Sequence, residues 1–94
     1  MPVSLTPPER IQLKARAHAL EPIVKVGHAG VSDAVIAEID RALTAHELIK
    51  VRAPGMDRDE RDAAFVAICQ RTGAQAVQQV GKVFVLFRKR DEQA

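Results

Sequence analysis

The stretch Val26-Gly27-His28-Ala29-Gly30-Val31 constrains this chain most. It places a G-x-x-G turn between an apolar run suited to a strand, Pro22 to Val26, and an amphipathic segment from Ser32 to His46. Glycine tolerates positive φ and lets a backbone pass close to another molecule. A turn that opens into a helix also presents free N–H groups and the positive end of the helix dipole, which suits a phosphate. Two glycines three apart also mark an ordinary tight turn, so this signal needs company.

The flanking segments give an order of elements. Thr6-Pro7-Pro8-Glu9 carries a capping residue, prolines for a first turn and a glutamate placed for a capping box. The helix it starts runs to about His18, with Leu13, Ala17 and Leu20 in one stripe and Arg10 and Lys14 on a ridge beside it. In the strand from Pro22 to Val26, alternation sets Val24 and Val26 on one face and Ile23 and Lys25 on the other. Ser32 caps a second helix, with Val35, Ile36, Ile39, Ala42 and Leu43 inward. Glu47 to Arg52 reads as a second strand, with Ile49 and Val51 opposite Lys50 and Arg52. After Pro54-Gly55, Asp57 and Glu60 open a third helix that turns Ala64, Phe65, Ile68, Cys69 and Thr72 inward and stops at Gly73. Gln75–Val80 and Val83–Arg88, joined by Gly81-Lys82, form a terminal hairpin, and the unbroken apolar run from Val83 to Phe87 expects cover on both faces.

The expected fold is therefore α/β (α+β-like), with three helices on a four-stranded mixed sheet in the order α-β-α-β-α-β-β. A single domain is expected over residues 5–90, with residues 1–4 and 91–94 as flexible termini.

Charge sharpens the functional reading. The 94 residues have a net charge of only +2. Residues 1–30 carry +2, residues 31–62 carry −3 and residues 63–90 carry +5. Basic ends around an acidic middle fit one basic surface for a polyanion, or equally a set of solvated cations with no partner.

Catalysis finds no support in the motifs. No G-x-S-x-G, H-E-x-x-H or Walker-type loop occurs. His18 and His46 end helices, where a cation caps the dipole. Cys69 falls on an inner helix face, and the acids from Asp57 to Asp62 suit a helix start better than a metal. No enzyme activity, cofactor or metal is expected. With no Trp or Tyr and only Phe65, Phe84 and Phe87, an aromatic stacking platform is not expected either, so recognition would rest on phosphates and shape. The single cysteine, the lack of an N-terminal signal pattern and the lack of a long apolar run lead to the expectation of a cytoplasmic protein without membrane contact.

Several spaced segments resemble one family. They are Leu13-Lys14-Ala15-Arg16-Ala17-His18 with Leu20-Glu21-Pro22, the G-x-x-G segment, His46-Glu47-Leu48-Ile49-Lys50-Val51, Thr72-Gly73-Ala74, and Val77-Gln78-Gln79-Val80-Gly81-Lys82 with Val85-Leu86-Phe87-Arg88. Their order resembles the CRM domain (chloroplast RNA splicing and ribosome maturation) in its stand-alone bacterial YhbY-like form. The resemblance implies a domain similar to the C-terminal domain of a bacterial translation initiation factor. It also implies non-catalytic RNA binding, with ribosomal RNA in large-subunit precursors as partner, and a monomer is expected. Mapped onto this chain, the family loop is Gly27, His28, Ala29 and Gly30, and the basic surface is Lys14, Lys25, Lys50, Arg52 and Arg88, with Arg10 on the same ridge as Lys14. The loop here lacks the lysine or asparagine common in the family, and Phe87 stands where tyrosine is common. A protein-interaction module that contacts RNA incidentally is the alternative, and a small-anion binder is a third reading.

Overall fold

The computed structural model describes residues 5–27 and 30–89. The expected termini at 1–4 and 91–94 lie outside these residues, as do His28 and Ala29 of the loop. Helix α1 spans Pro7–Ala17, α2 spans Asp33–His46 and α3 spans Arg58–Thr72. The strands are β1 (Val24–Lys25), β2 (Leu48–Arg52), β3 (Gln75–Val80) and β4 (Val83–Phe87).

Local chemistry starts and stops the helices. At α1 the Glu9 N–H donates to Thr6 Oγ1 at 3.3 Å, and the Thr6 N–H donates back to Glu9 Oε1 at 2.9 Å. Asp57 and Glu60 form the same reciprocal pair at α3, at 2.8 and 3.0 Å. Each box satisfies two amides that the first turn would leave without partners. Ser32 caps α2 by accepting from the Val35 N–H at 3.2 Å. Gly73 ends α3 at φ 74°, a conformation that costs little only without a Cβ.

The strands lie in the order β1-β2-β4-β3. β1 runs parallel to β2, and the other two pairs are antiparallel. β1 is shorter than the expected Pro22–Val26. Only Val24 and Lys25 form the ladder, although the Ile23 and Val26 amides still donate to the Lys50 and Arg52 carbonyls of β2. Pro22 has no amide to extend the ladder, and the chain turns away at Gly27.

Helices α2 and α3 cover one face of the sheet. Val24, Val26, Ile39, Leu43, Ile49, Val51, Ile68, Phe84 and Leu86 fill the main core there. The Phe65 and Phe84 rings stack nearly parallel, with centroids 4.7 Å apart. α1 alone covers the other face, where Leu13 and Ala17 pack on Leu48, Val77 and Val85. β4 contributes to both layers, with Phe84 and Leu86 in the main core and Val85 under α1. Its continuous apolar run is thereby explained. Leu20 departs from the expected stripe: α1 ends before it, and the side chain is exposed.

A bulge interrupts the terminal hairpin. Ala76 opposes Leu86 and Gln78 opposes Val85, so Val77 is the extra residue. Strict alternation would send Val77 and Gln78 to opposite faces. With the bulge, Val77 is buried under α1 and Gln78 emerges on that same side.

Candidate nucleic-acid interface

The α1 side of the sheet is only half covered. α1 packs over Leu48, Val77 and Val85. Beyond it, the carboxyl ends of β1 and β2 and the tip of the β3–β4 hairpin stay open. The pleat of β2 sends Ile49 and Val51 into the main core, which leaves Lys50 and Arg52 on the open side. Lys25 lies beside Arg52 in the parallel register. Lys14 reaches down from α1 to line the same cavity as Lys50. The Ala53 N–H donates to the Lys82 carbonyl at 2.7 Å, which fixes the hairpin turn next to Arg52.

Lys14, Lys25, Lys50, Arg52 and Lys82 thus gather on one side and one end of the sheet. None forms an ion pair or side-chain hydrogen bond with a described residue. Glu21 is the acid at their rim, beside Lys25 and Arg52. The other acids ride mainly on the opposite layer: Asp33, Glu38 and Asp40 on α2, and Asp59, Glu60 and Asp62 on α3. The uneven charge of the sequence has become two faces of one molecule. An uncompensated basic face concentrates positive potential where a polyanion can displace its counterions.

Two arginines of the expected basic surface are engaged elsewhere. Arg10 Nη1 donates to the Ala76 and Val77 carbonyls at 2.5 and 3.2 Å, so its guanidinium supports the bulge. Arg88 is held more extensively. It donates to Asp40 Oδ1 at 2.5 Å, the Thr72 carbonyl at 2.8 Å, the Asp40 carbonyl at 3.0 Å and Thr44 Oγ1 at 2.9 Å. Those contacts tie the end of β4 to α2 and to the end of α3, away from the open face. The partners of both arginines lie far along the chain and leave no local signature.

The glycine turn follows directly from β1. The Gly30 N–H donates to the Gly27 carbonyl at 3.0 Å, and the Ser32 N–H donates to the Gly30 carbonyl at 3.1 Å. Two amides suited to phosphate capture are therefore used inside the turn. Asp33 opens α2 and pairs with Arg71 at 2.6 Å, so a carboxylate already stands at that helix start. Gly30 needs its glycine, at φ 76°. Gly27 does not: its φ is not positive, and a Cβ there would meet no described atom within 4 Å. His28 and Ala29, the expected centre of the contact, lie outside the described residues.

Three further residues lie at the open face: His18 and Gln78 through their side chains, and Lys82 through its place in the hairpin turn beside Ala53. His18 and Gln78 line the cavity between α1 and the sheet. Lys82 had a visible signal, since a two-residue hairpin turn must sit beside the strand that pairs with its hairpin. Gln78 had none, because the bulge depends on the partner strand and on Arg10. Cys69 is half-buried on α3, where burial pushes its thiol up to about 11 and keeps it protonated near neutrality. Among the described residues, no group of three or more His, Cys, Asp or Glu is placed to hold a metal ion. No helix among them is long and apolar enough to cross a membrane.

Known proteins of similar sequence and fold are named for RNA binding. An RNA-binding protein of Haemophilus influenzae is 44% identical over 80 residues, covering 85% of this chain and 81% of that protein. Bacillus subtilis YqeI, named a probable RNA-binding protein, is 38% identical over 88 residues, covering 94% and 92%. The solution structure of a hypothetical Staphylococcus aureus protein, described as a candidate RNA-binding protein, superposes with a TM-score of 0.82 at 29% identity. That match covers 96% of this chain and 94% of the other. The CRS1 / YhbY (CRM) domain profile matches residues 5–88, nearly every residue that builds the two faces, and the chain belongs to that family.

Proposed function

We propose that this chain binds RNA through the half-open sheet face and the adjoining glycine turn, and that it assists assembly of the large ribosomal subunit. One observation carries the RNA reading: Lys14, Lys25, Lys50, Arg52 and Lys82 gather on one side and one end of the sheet without an acidic partner of their own. RNA-binding relatives support the same partner. The ribosomal part rests on the family resemblance of the spaced motifs. In this reading the cations hold phosphates, and Gly27 permits close approach of the RNA backbone rather than supplying most of the attraction. Arg10 and Arg88 act as positioning residues, through the bulge and through the end of β4.

Titration of a structured large-subunit ribosomal RNA fragment across salt concentrations tests this. Five phosphate contacts predict that log K falls against log salt with a slope of roughly −4. Lys50→Glu weakens binding, and Gly27→Ala weakens it while leaving the fold intact. Absence of salt dependence, or full affinity in Lys50→Glu, overturns the reading.

A second reading draws on the acidic α2–α3 layer, which suits a basic protein partner. Partners recovered after nuclease treatment, and lost on charge reversal of Asp59 and Asp62, would favour it.

A further inference from the structure

The cavity between α1 and the sheet has a construction that phosphate binding alone does not require. It encloses about 200 Å³. Pockets for whole small molecules run from roughly 300 to 1,000 Å³, so this one suits a fragment of a ligand. Its walls are apolar, built from Ala17, Pro22, Val80, Val83 and Val85. Its polar groups are few: Lys14, Lys50, His18 and Gln78. Val80 is 56% exposed, an apolar side chain left uncovered at the mouth.

Gln78 is the informative group. It reaches this face only because Val77 is an extra residue in β3, and Arg10 holds the carbonyl on either side of that irregularity. Bulges of this kind re-aim one side chain. The amide so placed has an acceptor and two donors, none bonded to a described residue. A small, mostly apolar cavity with a side-chain amide and two lysines in its lining matches an unpaired nucleobase with a phosphate on either side. A paired base could not enter, because its edge is occupied and its faces are stacked.

We propose that this cavity receives a single unpaired RNA base, whose edge Gln78 reads while Lys14 and Lys50 hold the adjoining phosphates. The proposal rests on the RNA-binding reading above and adds a preference for RNA with an extruded nucleotide. His18 borders the same slot and offers a ring against the base.

Two ribosomal RNA hairpins of equal length test it, one fully paired and one with a single unpaired thiouridine. The wild-type protein should bind the unpaired form about fivefold more tightly, the effect expected of one net hydrogen bond in a partly buried site. Irradiation should crosslink the thiouridine within residues 14–22 or 78–85. Gln78→Ala should abolish the preference while still binding both hairpins. Lys25→Ala should weaken both equally and keep the preference. Equal wild-type affinity for the two hairpins, or crosslinks confined to other segments, overturns the pocket and leaves the phosphate-binding face standing. Failure to bind either hairpin overturns both.

Discussion

The two faces of the sheet handle charge in opposite ways. On the α2–α3 side the main core is closed, and two arginines there are tied into the fold: Arg71 with Asp33, and Arg88 with Asp40, Thr44 and the Thr72 carbonyl. On the α1 side one helix covers part of a smaller core, and Lys14, Lys25, Lys50, Arg52 and Lys82 stand without partners among the described residues. Arginines that hold the fold, such as Arg71 and Arg88, thus stand apart from the cluster of cations available to a ligand on the α1 side. Counting basic residues along the sequence cannot make that division.

The largest effect is expected at the closed face. Phe84 is fully buried and stacks on Phe65. Phe84→Ala should cost about 3–5 kcal/mol in urea denaturation, a large share of a small domain's stability. A loss below about 1 kcal/mol would mean that this face is not the main core. Next comes the open face. The double variant Lys50→Glu/Arg52→Glu should lose on the order of 100-fold in RNA affinity at low salt, about 2.8 kcal/mol. It should also reduce the salt slope by roughly 1.5 and leave the urea midpoint nearly unchanged.

Arg88 sharpens the same contrast from the other direction. Arg88→Met removes hydrogen bonds from a mostly buried guanidinium and should cost about 2 kcal/mol of stability. RNA affinity of the folded variant should stay within about twofold, below the cost of one ordinary hydrogen bond. A large affinity loss at intact stability would return Arg88 to the interface. The smallest effect concerns pH. The Thr6 backbone N–H, and then its hydroxyl, hold the Glu9 carboxyl below its ordinary value. Its folded-state pKa lies under the unfolded one, so the capping box contributes fully above the unfolded pKa. That contribution fades as pH falls through the lowered value. Protection factors of the amides in the first turn of α1, taken against intrinsic exchange, should fall as pH drops through the lowered value, and Glu9→Gln should remove most of that pH dependence.

Helix starts, the α3 stop and the hairpin were legible because capping boxes and turn glycines act within a few residues. Strand faces were legible from alternation, which put Lys25, Lys50 and Arg52 together. The length of β1 was not, because a two-residue ladder depends on where the neighbouring strand is reached. The fates of Arg10 and Arg88 depended on carbonyls and carboxylates far along the chain, at Ala76, Val77, Asp40 and Thr72. The bulge at Val77 belongs to the same class, and Gln78 was invisible as a site residue for that reason. Sequence pattern reports which side of an element a residue takes. It does not report whether another residue has already engaged it.

The most direct test is amide chemical-shift mapping of the 94-residue chain titrated with a structured ribosomal RNA fragment. Saturable shifts are expected at Lys14, Lys25, Gly27, Lys50, Arg52 and Lys82, with the outer surface of α3 around Asp59, Asp62 and Val66 unmoved. Shifts concentrated on α3, with the lysine face silent, would contradict RNA binding through the open face.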